Sequence, residues 1–271
     1  MKKHMSTIVL VLVFLIGLSV LLYPVVSDWW NSKTQSRAIV DYESALANLE
    51  EKDYSAEFAA ADAYNQELAA VEYPLMNYGE VSGYEDILDV TGTGIIGYIT
   101  IDKIQVELPI YHGTSDSVLS VAAGHLQGTS LPVGGVGTHS VISAHRGLPT
   151  ARLFTSLDRL EVGDTFQITV LNRVLTYQVD QVLIVDPDQV DALYVVDGQD
   201  YCTLLTCTPY GINTQRLLVR GVRVDTPEEK NIYVANEAYR LDSLILAPAV
   251  AVPMLLVLLV VLLVKYRKKK D

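Results

Sequence analysis

Hydrophobic and polar positions change their spacing several times along this chain. From Thr7 to Val26, and again from Ser243 to Val264, apolar residues run almost without interruption. Each run approaches the ~20 residues that a helix needs to cross a ~30 Å hydrocarbon core. Ser32–Val71 instead has helical spacing. Ile39, Tyr42, Leu46 and Leu49 form one stripe, and Tyr54, Phe58, Ala61, Asn65 and Leu68 continue at intervals of three and four, with Asn65 a polar exception. This predicts one or two amphipathic helices packed on a domain, with a break near Lys52-Asp53. Glu72–Gly94 has no period and carries Pro74, Gly79, Gly83, Gly92 and Gly94, so it reads as loop.

After Gly94 short β-forming runs take over. Ile95–Ile101, Val106–Tyr111, Thr138–Ala144, Thr165–Val170, Val174–Val185, Tyr201–Thr206 and Arg216–Val224 are the strand candidates. Short strands joined by Gly, Pro and Asp turns predict a closed or nearly closed β-barrel of about 130 residues, so the fold class is mainly β. Thr226-Pro227-Glu228-Glu229-Lys230 is a charged break after it. No internal repeat or low-complexity tract is present.

Charge orients the apolar runs. Lys2-Lys3 precedes the first, and Lys265, Arg267 and Lys268–Lys270 follow the second. The positive-inside rule then puts both termini in the cytoplasm and the middle of the chain outside, with Trp29 and Trp30 at the interface. Pro248 and Pro253 in the second run kink a membrane helix without forbidding it. A cleaved signal peptide is the alternative for the first run, but the run is long and its best small-residue site, Val25 and Ser27, is poor. A buried core helix is the alternative for the second, and the basic tail argues against it. The organisation expected is a cytoplasmic N-terminus (1–6), a transmembrane helix or signal-anchor (7–26), a helical extension with a loop (32–93), the barrel (94–226), a linker (227–242), a transmembrane helix (243–264) and a basic cytoplasmic tail (265–271). Asp28–Asp242 holds 13 basic and 31 acidic residues, a net charge of −18. So acidic a region is a poor partner for nucleic acid or anionic lipid. A basic protein substrate would be steered toward it, although solubility alone also accounts for the charge.

Two cysteines in an exported domain raise the question of a disulfide. On one continuous strand, at ~3.3 Å per residue, Cys202 and Cys207 would stand roughly 16 Å apart and point to opposite faces. A disulfide needs less than about 7 Å. At least one exported thiol is therefore free.

A thiol becomes a nucleophile when a neighbour generates its thiolate, and that neighbour is usually histidine. His4 lies at the cytoplasmic end. His112 and His125 sit in loop-like YHGT and AAGHLQGT, where a structural or exposed role is the plainer reading. His139 lies deeper on the run that ends at His145. His145, in THSVISAHRGLP, closes a strand, as Cys207 does in TLLTCTPYGINTQR. Acyl chemistry also needs donors for the developing oxyanion. Arg216 follows a short turn after Cys207, so a return strand brings it back beside the thiol. Arg220 and Arg223, further along, read as salt-bridged surface residues.

With these residues in view the chain resembles the sortases, membrane-anchored cysteine transpeptidases of Gram-positive bacteria. Thr203–Cys207 matches their TLxTC signature, His145 the family histidine and Arg216 the family arginine. GHLQGTSLPVGG, THSVISAHRGLP, CTPYG and the second apolar run are most like class C, the pilus-assembling group. The resemblance spans roughly Gly94–Val224. It implies the sortase β-barrel with a helical N-terminal extension, and no cofactor or metal. Cys207 would attack the Thr–Gly bond of an LPxTG-like sorting signal to form a thioester. His145 would serve as acid and base, and Arg216 would hold the oxyanion. A pilin lysine amine would resolve the thioester. Cys202 is expected to be a buried apolar residue.

Two departures stand out. Gln215 occupies a position where many relatives have histidine. Ala70–Gly92 lacks the Asp-Pro-aromatic triplet of the class C lid, which leads to the expectation that Cys207 is not tightly plugged. Tyr73 or Tyr78 is the alternative filler, since Glu72-Tyr73-Pro74 has related ingredients in another order. Three competing readings are a sortase that anchors surface proteins to cell-wall cross-bridge amines, a thiol protease, and a catalytically silent membrane scaffold or adhesion module.

Overall fold

Strands that alternate a core face with an outer face can bury only one side, and here they close on themselves. The structure, a computed structural model, describes residues 2–48, 53–226, 251–257 and 259–261. The described strands are β1 (Ile95–Ile101), β2 (Val106–His112), β3 (Ala123–His125), β4 (Thr138–Ser143), β5 (Thr165–Val170), β6 (Arg173–Val185), β7 (Asp200–Thr208) and β8 (Gln215–Val224). They form a closed barrel in the order β1-β2-β3-β4-β7-β8-β6-β5. The pairs β2–β3 and β4–β7 are parallel, and the others antiparallel.

The two faces of β4, β7 and β8 part cleanly. Ile142 and Ala144, Cys202 and Leu204, and Leu217 and Val219 join the main barrel core. Their alternates Val141, Leu205 and Leu218 face outward into a second, smaller apolar cluster with Leu193. This parity decides which side chains meet at the site described below.

Helix α1 (Lys2–Asn48) is long and apolar enough to cross a membrane, with a mean hydropathy of 2.2 over its most apolar window and none of that window buried. The described residues between 31 and 226 form one compact unit, and residues 2–30 belong to another, which includes the described residues of the second apolar run. Those residues, 251–257 and 259–261, are helical. The rest of that run, most of the charged break and linker, the basic tail and residues 49–52 lie outside the described residues.

Within the barrel unit, Ile39 and Tyr42 of α1 are buried, as are Phe58, Ala61, Tyr64, Asn65 and Leu68 of α2 (Ser55–Ala69). The polar exception in the stripe is satisfied. Asn65 accepts from the Leu131 N–H at 2.7 Å and donates to the Leu131 carbonyl at 3.2 Å, so its amide serves the loop between β3 and β4. Tyr42 likewise accepts from Leu171 N–H at 3.0 Å, and burial pushes its phenol up to about 12.

β3 corrects the sequence reading. Ala-Gly-His is too short to show alternation, and its pairing with β2 is non-local. His112 and His125, read as loop residues, end β2 and β3 and are buried. His125 donates from Nε2 to the Ser130 carbonyl at 2.8 Å, which leaves Nδ1 to accept from the Tyr84 hydroxyl at 2.8 Å. The neutral ring is thus fully bonded, and burial lowers its pKa to about 4.

The sign of the linkage follows. An unfolded histidine titrates near ~6.5, so below that pH the unfolded chain binds a proton that the fold refuses. This contribution is intact above ~6.5 and falls by about 3 kcal/mol in total as pH drops toward about 4. We expect an NMR titration to find the His125 ring neutral at pH 5.5, and the urea midpoint to fall between pH 7 and pH 4.5. A ring that titrates near 6.5 would contradict its burial.

Candidate active site

The parallel ladder between β4 and β7 matches Ser143 with Leu205. Ala144 carries the alignment on, donating from its N–H to the Leu205 carbonyl at 3.2 Å and accepting at its carbonyl from Thr206 Oγ1 at 2.8 Å. Two residues beyond Ser143 is His145, and two beyond Leu205 is Cys207. On the other side, the antiparallel ladder pairs Cys207 directly with Arg216. Cys207 and Arg216 are therefore neighbours on adjacent strands, ~4.8 Å apart at the backbone, and His145, two residues past the end of β4, continues the register of that strand alongside Cys207, so the three fall in one row. Cys207 and His145 are half-buried. Cys202, on the inward face, is fully buried, and burial raises its thiol pKa far above the ordinary range. Both cysteines are free.

The turn after Cys207 presents Arg216 as well as reversing the chain. Ile212 and Asn213 N–H groups both bond the Pro209 carbonyl, and Asn213 takes a positive φ of 62°. Arg216 donates from one terminal nitrogen to the Asn213 and Gln215 carbonyls at 3.3 and 3.1 Å. Among the described residues it has no carboxylate partner. Arg220 differs, since Asp180 holds its guanidinium through two bonds of 3.1 and 2.7 Å. Arg223 donates to the Val224 carbonyl at the far end of β8 and makes no ion pair among the described residues, against the salt bridge expected for it. His139 shares the outward face but is buried, with bonds to the Tyr194 carbonyl and Thr203 Oγ1 that take up both ring nitrogens.

A cavity of about 510 Å³ runs along this face, lined in part by Arg216, Leu205, Leu126, Leu193 and Val190. Leu75 and Tyr78 of the loop before the barrel also line it. A larger hollow of about 850 Å³ lies at the other end of the same strands, between Asp200 and Val224. The smaller one is lined by Arg216, the direct ladder partner of Cys207, so it is the one that adjoins the thiol. Among the described residues no cluster of His, Cys, Asp and Glu is arranged to hold a metal ion.

The loop's entry into the groove explains part of GHLQGTS. A Cβ on Gly128 would stand 2.7 Å from the Pro74 carbonyl oxygen and 2.9 Å from Leu75 Cα, and Gly128 itself has a φ of +92°. Only glycine lets the short helix α3 (Pro74–Asn77) lie so close. Leu75 then packs on the outward apolar cluster, while Tyr73 and Met76 are exposed. Where the sequence offers Tyr73 or Tyr78 as filler, the side chain packed on that cluster is Leu75. Partial burial of a leucine is worth about 1 kcal/mol, or about fivefold in the open fraction of the groove. In a Cys202→Ala background, we expect Leu75→Ala to speed alkylation of Cys207 about fivefold and Tyr73→Ala to leave it unchanged. Equal rates for the two variants would show that α3 does not guard the thiol.

The sortase domain family matches residues 99–224. Sortase C1 from Streptococcus agalactiae superposes with a TM-score of 0.64 at 46% identity, covering 70% of this chain and 100% of that one. The chain belongs to the sortase family. Sortase C from Streptococcus pneumoniae is similar at 43% identity and a TM-score of 0.64, over 71% of this chain and 100% of that one. Sortase A of Bacillus anthracis is 25% identical over 231 residues, 84% of this chain and 99% of the relative. Sortase A of Streptococcus agalactiae is 29% identical over 137 residues, 49% of this chain, and the match spans only 55% of that relative. The barrel of this sortase thus agrees in fold with solved sortase C structures. Leu75, which lines the cavity, and Arg146, which bonds Thr208 beside Cys207, were not singled out from sequence. Only Arg146 had a signal, its place beside His145.

Proposed function

We propose that this sortase is a cysteine transpeptidase that joins a sorting signal to an amine. The observation that carries the reading is the row of His145, Cys207 and Arg216 on one open face beside a groove. The Cys207 thiolate adds to the threonine carbonyl of an LPxTG-like motif, and the oxygen that gains the electron pair faces Arg216. Collapse breaks the Thr–Gly bond, and His145 protonates the departing glycine amine. The product is a thioester on Cys207. His145 then takes a proton from an incoming amine, whose nitrogen forms the new amide as the C–S bond breaks. The thiolate is restored and the proton is back on His145, so the cycle consumes no oxidant and no external acid or base.

We infer that the amine is a pilin lysine and the product a polymerised pilus. The class C motifs and the sortase C neighbours support this, and the pneumococcal structure is itself tied to pilin substrate specificity. We read the chain as anchored by α1 and by the apolar run 243–264, with both ends cytoplasmic and the barrel outside, on the domain boundaries given above. Incubating the enzyme with purified pilin subunits and sequencing the cross-linked product by mass spectrometry tests this. A threonine–lysine isopeptide supports polymerisation. Transfer only to cell-wall cross-bridge amines would favour the anchoring role instead.

A further inference from the structure

The residue after His145 faces the other way. By the parity of β7, Cys207 looks outward and Thr208 into the barrel, and Arg146, just past the end of β4, meets Thr208 on that inner side. Arg146 is buried, with its side chain only 8% exposed. One terminal nitrogen donates to Thr208 Oγ1 at 3.1 Å and the other to Asp158 at 2.6 Å. Its Nε is buried without a hydrogen-bond partner among the described residues.

A buried cation with a donor unmet is costly, and a fold that only needed packing there would use an apolar side chain. What this cation does is span three elements. Thr208 is the last residue of β7, next to Cys207. Asp158 lies on a single 3-10 turn, Leu157–Arg159. Arg146 itself sits beyond the end of β4, where the ladder no longer holds the chain. The backbone there has few other ties, from the Phe154 N–H to the His145 carbonyl and from the Gly147 N–H to Thr155 Oγ1.

We propose that Arg146 is a positioning residue for the reaction read above: from the inner face it ties the loop of His145 to the strand of Cys207 and so sets the distance between base and nucleophile. It touches neither substrate nor thiol. A shift of about 1 Å in such a pair costs up to about a hundredfold in rate. Loss of one of the two bonds should cost less than loss of both.

The test uses the full chain in detergent, in a Cys202→Ala background. We expect Thr208→Val, which keeps the shape and removes the acceptor, to lower kcat for cleavage of a sorting-signal peptide about tenfold, with KM within about twofold. Arg146→Met should lose about thirtyfold, and Arg146→Lys, which keeps the charge and one bond, should fall between. The pH profile of Cys207 alkylation by iodoacetamide should shift in Thr208→Val and Arg146→Met relative to the parent. Wild-type kcat and an unshifted profile in both variants would overturn the proposal. So would losses that merely follow the fraction of unfolded protein. If the parent enzyme fails to cleave the peptide at all, the transpeptidase reading fails, and the alkylation profile alone decides whether Arg146 positions the pair.

Discussion

Cys207→Ala is expected to abolish cleavage of a sorting-signal peptide, while Cys202→Ala keeps most of it. The two thiols differ in placement, not chemistry. Cys202 faces inward, is fully buried and has a thiol pKa raised by burial, so it supplies almost no thiolate. Cys207 is half-buried on the outward face, in line with His145 and Arg216. No other nucleophile stands in that row, so alanine removes the covalent step rather than slowing it. Mass spectrometry of enzyme mixed with substrate should find the acyl group on Cys207. An adduct on Cys202, or full activity in Cys207→Ala, would sink the assignment.

Arg216→Lys should lose at least ~100-fold in kcat, the scale seen when one preorganised oxyanion donor is removed. Lysine keeps the charge but not the fork of donors. Here the fork is already divided. One terminal nitrogen is taken by the Asn213 and Gln215 carbonyls, which hold the group in place. The remaining donors have no carboxylate to satisfy and stay available to substrate. A lysine at the same position has to choose between the turn and the oxyanion. Arg223→Lys, at the far end of β8, should be mild, with kcat within about twofold of the parent because it lies outside the site. Equal losses at both positions would reduce Arg216 to a structural role.

Much of the fold was legible because most of its signals are local. Seven of the described strands coincide with runs of β-formers bounded by turn residues, and their ends shift by no more than a few residues. The helical stripe through Ile39, Tyr42, Phe58 and Leu68 was readable for the same reason, since spacing alone marks the buried side. β3 was not, because three residues cannot show a period and its partners β2 and β4 are brought to it by the closed sheet. His125 was misplaced with it. The row of His145, Cys207 and Arg216 was anticipated through strand ends and a short turn, and through the resemblance of TLLTC to a known signature. Arg146 was not given a role, because its partners Asp158 and Thr208 stand 12 and 62 positions away. Leu75 was passed over for a different reason. The sequence points to an aromatic ring, whereas the side chain of this loop that packs on the outward cluster is aliphatic, admitted by a glycine that yields space.

The most direct test of the account is a partition experiment. The full chain is incubated with an LPxTG-like peptide, with and without a lysine-bearing acceptor peptide, and the products are identified by mass spectrometry. The account predicts cleavage between Thr and Gly, a new amide between that threonine and the acceptor lysine when the acceptor is present, and neither product with Cys207→Ala. Cleavage at another bond, or the same amide formed by Cys207→Ala, would contradict it.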